Sequence, residues 1–277
     1  MTGTAVEKSF DRKGGTAGAT IVLQAGAAVY AAGLKQERNG LGMSETMVFV
    51  LVAALSALIA YLLGSISTAV IVSKLGAKKD VRNFGSGNAG MTNVLRVFGK
   101  KMAVITLLGD FCKGIVAVFI GRWLFHLFGV TLMDGAYVAG LFALLGHIYP
   151  VYFGFKGGKG VLTACGIILT INPIVFGLLL IVTIPVILIS KIVSLGSVLA
   201  AVVYPILTGI VLAVQDKPVL FDVLFACCMS VIVIVKHRSN IQRLLNGTEN
   251  RFGKSKERRE IEQEEKVKSQ GQGHKDG

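Results

Sequence analysis

Two glycine-rich, basic segments interrupt an otherwise apolar chain, and their residue types suit the binding of phosphate. The first is Gly85-Ser86-Gly87-Asn88-Ala89-Gly90-Met91-Thr92-Asn93, followed by Arg96. The second is Phe155-Lys156-Gly157-Gly158-Lys159-Gly160. Glycines let backbone N–H groups face an anion, and a neighbouring Lys or Arg neutralises it. In the first segment Gly85, Gly87 and Gly90 permit a compact turn. Ser86, Asn88, Thr92, Asn93 and Arg96 offer polar groups to whatever the turn encloses. In the second, Gly157, Gly158 and Gly160 leave amides unpaired at the start of a helix, and Lys159 completes an anion site.

Neither segment is a nucleotide motif. Gly85 to Gly90 fits G-x-G-x-x-G, yet no strand precedes it and no dinucleotide-binding unit surrounds it. Lys156 to Gly160 lacks the G-x-x-x-x-G-K-[ST] of an ATPase loop, since Gly160 follows Lys159. There is no G-x-S-x-G elbow for a serine hydrolase, no His-x-x-x-x-Asp pair and no carboxylate cluster for a catalytic metal.

Two histidines are candidate acid-base groups. His147 lies in Gly146-His147-Ile148-Tyr149-Pro150, where packing is the commoner role. His237 lies in Lys236-His237-Arg238-Ser239-Asn240, with Asn240 one helical turn away and able to face the same substrate. Asp110 and Lys113, three apart within an apolar run, share a helical face and are expected to pair.

The elements that must position these groups are membrane-like. With 53% hydrophobic and only 16% charged residues, the chain falls outside the range of ordinary soluble domains. Its net charge of +13 sits in loops between apolar runs, which favours anionic lipid or phosphate over nucleic acid. Apolar runs cover about 47 to 72, 102 to 128, 132 to 153, 161 to 170, 173 to 190, 193 to 214 and 219 to 235. All but the fourth approach the roughly 20 residues a spanning helix needs. The expectation is an all-α integral membrane protein of about seven transmembrane helices. A re-entrant fourth segment would leave six, and one bent span over 161 to 190 would leave five. Placing the Lys- and Arg-rich loops in the cytoplasm puts the N-terminus outside and the C-terminus inside.

Residues 44–251 are expected to form the membrane domain. Residues 1–43 read as a poorly patterned extension that need not be native, with Met43 an alternative start. Residues 252–277 mix Lys, Arg, Glu and Gln without an apolar stripe and read as a disordered cytoplasmic tail. Cys112, Cys165, Cys227 and Cys228 lie in apolar runs without metal-ligand spacing and are expected to be small buried hydrophobes.

The combination of Tyr61-Leu62-Leu63-Gly64-Ser65-Ile66, Gly85 to Arg96, Gly146 to Thr163 and His237 to Glu249, in that order, resembles the bacterial acyl-phosphate:glycerol-3-phosphate acyltransferases of the PlsY type. One departure is Ser67-Thr68-Ala69, where that family often has a proline. The resemblance implies transfer of a fatty acyl group from acyl phosphate to the sn-1 hydroxyl of glycerol 3-phosphate, giving lysophosphatidic acid and phosphate. It implies no cofactor and no metal, a place in the bacterial inner membrane, and a site on the cytoplasmic side. It marks Lys159, His237 and Asn240 as catalytic, with Ser86 and Arg96 as phosphate contacts and Thr92 and Asn93 in the cradle. Gly87, Asn88, Gly157, Gly158 and Gly160 are expected to complete the substrate-binding set. An organophosphate transporter is the alternative, since broken helices and glycine loops also build carrier sites.

Overall fold

The computed structural model describes Gly33 and residues 44–251, so the readings of residues 1–43 and of the tail 252–277 lie outside the described residues. Ten α-helices form among them: α1 (Glu45–Gly64), α2 (Thr68–Ala77), α3 (Met91–Phe98), α4 (Lys100–Leu127), α5 (Gly135–Ile148), α6 (Val161–Ile171), α7 (Pro173–Ser190), α8 (Val193–Val214), α9 (Leu220–Lys236) and α10 (Arg238–Leu245).

Local sequence accounts for most of the boundaries. Ser44 caps α1 by accepting from the Met47 amide at 3.1 Å. Asp134 caps α5 through the Ala136 amide at 2.9 Å. Asn172 caps α7 through the Val175 amide at 3.1 Å, with Pro173 in the first turn. The chain breaks between α1 and α2 at Ser65–Ser67, where Ser65 Oγ turns back to donate to Tyr61 O.

Between apolar helices in lipid, close packing replaces the hydrophobic effect, and small residues allow it. A Cβ on Gly64 would collide with the Ala143 carbonyl, and one on Gly146 with the Tyr61 carbonyl, so α1 and α5 meet backbone to backbone. Gly114 and Gly166 bring α4 and α6 together in the same way. Leu144, Ile148, Ile167, Val175 and Met229 fill the space where α5, α6, α7 and α9 converge.

Among the described residues, five segments are long and apolar enough to cross a membrane, or six if the bent pair α9–α10 counts as one. The fourth apolar run is the short one, as expected, and the alternatives of five or six crossings turn on it. Helix α6 has 11 residues, about 16 Å of rise against a hydrocarbon core of about 30 Å. Its start packs beside the middle of α4, where Thr163 Oγ1 donates to Asp110 O at 3.1 Å. Gly160 and Val161 at its start line a large cavity that Lys100 also lines. Ile171, Asn172 and Pro173 at its end line a polar pocket shared with Arg122.

The cysteines also depart from expectation. Cys112, Cys227 and Cys228 are exposed and only Cys165 is partly covered. The first three lie on outward faces of apolar helices, where a thiol is as compatible with lipid as with a protein core.

Candidate active site

The first glycine segment is folded around one side chain. Asn93 Oδ1 accepts from the Ser86 amide at 2.9 Å. Its Nδ2 reaches the carbonyls of Val81, Phe84 and Asn88 at 3.1, 3.0 and 3.1 Å. Gly85 and Gly87 take the left-handed conformation that lets the loop close on this amide. The loop runs into α3 through Gly90, so that Ser86, Asn88, Gly90, Thr92 and Arg96 line the cavity. Asn93 also borders it, yet its amide is committed to loop carbonyls. Its hydrogen bonds brace the loop that shapes the cavity.

The second segment is held from below. The Gly158 amide donates to His147 O at 3.1 Å. A Cβ on Gly158 would strike His147 Nε2 and approach Ala89 O at 2.7 Å, so this glycine is threaded between α5 and the first loop. Gly160, at φ +88°, turns the chain into α6. Lys159 is thereby carried into the cavity, where its Nζ donates to Asn240 Oδ1. Burial pushes the Lys159 ammonium down to about 8; Glu249 opposes that shift, while Arg243, Arg96 and Lys236 add to it.

The third contribution comes from the turn between α9 and α10. His237 is buried, and its Nδ1 lies 2.8 Å from Val233 O. A carbonyl only accepts, so Nδ1 carries the proton and Nε2 of the neutral ring is left as an acceptor. Asn240 Nδ2 donates to Glu249 Oε1 at 2.8 Å. Glu249 also accepts from Ser194 Oγ at 3.0 Å and from Arg243 Nε at 2.7 Å. Lys159, Asn240 and Glu249 therefore form one chain of hydrogen bonds. Sequence reading took Glu249 only as the edge of a resemblance. The available signal was a single acid between Arg243 and Arg251.

These parts enclose a cavity of ≈ 570 Å³. Nine of the twelve residues expected to form the site line it: Ser86, Asn88, Thr92, Asn93, Arg96, Lys159, Gly160, His237 and Asn240. Gly87, Gly157 and Gly158 do not; they shape the loops from behind. Arg96, Lys100, Lys159, Lys191, Arg243 and Arg251 face only Asp110 and Glu249 among its acids, so the field inside favours an anion.

Beneath the second loop lies a buried cluster. The expected pairing of Asp110 with Lys113 is present at 2.9 Å, and His147 Nδ1 is 3.6 Å from the same carboxylate oxygen. Lys113 Nζ also donates to Ile66 O at 2.8 Å, satisfying a carbonyl freed by the break between α1 and α2. An apolar cleft of ≈ 70 Å³ opens beside the cavity, sharing Val161 and Ser197 with it and running between Ile168, Leu179, Tyr204 and Met229.

The family model described as Glycerol-3-phosphate acyltransferase matches residues 54–247, a stretch that contains both loops, His237 and Asn240. The chain belongs to the glycerol-3-phosphate acyltransferase family. A relative from Clostridioides difficile (strain 630) with that name is 45% identical over 201 residues, covering 73% of this chain and 96% of the relative. One from Syntrophotalea carbinolica is 47% identical over 202 residues, covering 70% and 95%. Two crystal forms of the integral membrane glycerol 3-phosphate acyltransferase PlsY align with this fold. The glycerol 3-phosphate form gives a TM-score of 0.64 at 39% identity, and the lysophosphatidic acid form 0.62 at 38%, each covering 73% of this chain and 96% of the other. As a member of this acyltransferase family, the protein is an integral membrane, multi-pass enzyme of phospholipid synthesis.

Proposed function

We propose that the acyl donor is acyl phosphate and that the ≈ 570 Å³ cavity holds the phosphate groups of donor and acceptor together. The observation that carries this reading is the union of a strongly cationic cavity with an apolar cleft through Val161 and Ser197. The cleft gives apolar contact to the carbonyl end of a fatty chain, and the cavity has room for two phosphates. Arg96, Ser86, Thr92 and the first-loop amides take one phosphate, while Lys159, with the amides leading into α6, takes the other.

Acyl phosphate is an activated mixed anhydride, so positioning and charge neutralisation supply much of the acceleration. The sn-1 hydroxyl oxygen of glycerol 3-phosphate attacks the acyl carbonyl carbon. The bond from that carbon to the phosphate oxygen breaks, and its electron pair leaves with inorganic phosphate. His237 Nε2 accepts a hydrogen bond from the hydroxyl and orients it, while a phosphate oxygen of the donor receives the proton. Asn240 fixes the direction of the Lys159 ammonium. The Lys and Arg residues that line the cavity support a cytoplasmic site by the positive-inside rule.

The test is donor choice. Purified protein given acyl phosphate and glycerol 3-phosphate should release lysophosphatidic acid and phosphate in equal amounts, and acyl thioesters in place of acyl phosphate should give none. Turnover with a thioester at a comparable rate would overturn the donor assignment. Uptake of glycerol 3-phosphate into sealed vesicles without acylation would instead support the transporter.

A further inference from the structure

The two loops have no covalent reason to keep their spacing, and one side chain outside the cavity spans them. Arg82 lies in the short 3₁₀ turn Val81–Asn83, immediately before the first loop. Its Nη1 donates to Phe153 O at 2.6 Å and to Lys156 O at 3.3 Å, both in the turn that leads into the second loop. Its Nε and Nη2 donate to Asp80 Oδ1 and Oδ2 at 3.0 and 2.7 Å. The guanidinium also lies 6.0 Å from the centre of the Phe153 ring. One face of the fork is thus anchored at the root of loop one, and the other holds carbonyls at the root of loop two.

Those carbonyls belong to an unusual stretch of backbone. Gly154 and Phe155 are both left-handed, at φ +64° and +60°. A bulky residue in that region persists only where its surroundings fix it. From the Arg82 side, the fixing groups are the bonds to Phe153 O and Lys156 O. From the opposite side, the Phe155 amide donates to Pro150 O at 2.9 Å. Three residues beyond Lys156 the chain delivers Lys159.

From this geometry we infer that Arg82, clamped by Asp80, is a positioning residue that sets the distance between the Ser86–Arg96 loop and Lys159. The inference rests on the reading of those loops as the phosphate cradle. It requires the planar fork of arginine. Lysine carries three donors on one nitrogen and cannot make the four bonds that the three guanidinium nitrogens direct to both carboxylate oxygens and two carbonyls. The Asp80 carboxyl, held down to about 2 chiefly by its bonds to Arg82, stays ionised throughout the working range, so the clamp is always charged.

The test compares R82A, R82K, D80N and K159A in purified, membrane-inserted protein, measuring kcat, KM for both substrates and the unfolding temperature. A misplaced loop costs on the order of 100-fold. R82A should therefore lose about that factor in kcat/KM, shared between a raised KM for glycerol 3-phosphate and a lowered kcat. R82K should recover less than a tenth of the loss at an unfolding temperature near that of the wild type, and D80N should lose about tenfold. Guanidinium ion at tens of millimolar, against matched sodium chloride, should restore R82A at least several-fold and leave K159A unchanged. Should R82A not insert, R82K and D80N carry the test. Rates for R82K and D80N within threefold of the wild type would overturn the clamp, as would full rescue by lysine. If K159A is also near wild type, the cradle reading itself fails. If K159A is inactive while the Arg82 and Asp80 variants are normal, only the clamp fails.

Discussion

The two glycine loops solve the same problem with opposite construction. The first is closed from within, by the Asn93 amide bonded to Ser86, Val81, Phe84 and Asn88. The second has no internal side chain of that kind and is gripped by distant groups. His147 O takes the Gly158 amide. Arg82, 71 and 74 residues away along the chain, takes two of its carbonyls, and Asn240, 81 residues away, takes Lys159. The contrast assigns different failure modes. Loop one should break by losing one residue, whereas loop two should break by disturbing any of several packed neighbours.

Gly158→Ala is the sharpest way to break the second loop. Its Cβ meets the His147 ring on one side and the Ala89 carbonyl on the other. Neither side gives way freely, so Lys159 is displaced, and a shift near 1 Å costs about 100-fold or more in rate. Steady-state kinetics of the inserted variant read this directly; a loss under threefold would mean that the loop is not packed as described.

Asn93→Ala breaks the first loop locally. It removes the four hydrogen bonds to the Ser86 amide and the Val81, Phe84 and Asn88 carbonyls, at about 1 kcal/mol each and about 4 kcal/mol in all. Reduced thermal stability together with a rate loss of about 30-fold is expected, this factor being on the scale by which misplaced groups lower rates. Unchanged stability would show that loop one does not depend on its internal amide.

The pH dependence separates the loops further. Lys159, lowered to about 8 mainly by burial, is cationic below that pH and neutral above it. kcat/KM should therefore fall about tenfold per pH unit on the alkaline side. Lys159→Arg, at lower absolute rate, should remove that limb because guanidinium stays charged. A limb that survives in Lys159→Arg would assign the titration to another group. The smallest effect is expected at His237→Gln, where the amide oxygen can still accept the hydroxyl hydrogen bond. A loss of about tenfold fits an orienting role, whereas a loss beyond about 10³ would make His237 the general base.

How far the sequence revealed the site follows the same division. Gly85, Gly87, Asn93 and Arg96 lie within a dozen residues, so their cooperation is a local pattern that residue types express. Composition does not say whether the Asn93 amide faces a ligand or its own loop, and its hydrogen bonds to the loop come from the fold. Lys159 was legible from its glycines and His237 from its neighbour Asn240. Arg82 and Glu249 were not, since their partners are distant in sequence and their own surroundings look like ordinary polar loop. The helical, membrane-spanning class was plain from hydropathy. The short fourth run was legible too, as the one apolar segment below spanning length, and α6 has 11 residues.

The central claim is that the two loops and the His237 turn converge on one oxyanion site, with Lys159 at its centre. Its most direct test is the initial rate of lysophosphatidic acid formation from acyl phosphate and glycerol 3-phosphate by Lys159→Ala, with membrane insertion confirmed. The account predicts a loss of at least about 10³, the scale of removing a preorganised charge from a reacting phosphate. A rate within tenfold of the unaltered enzyme would contradict it.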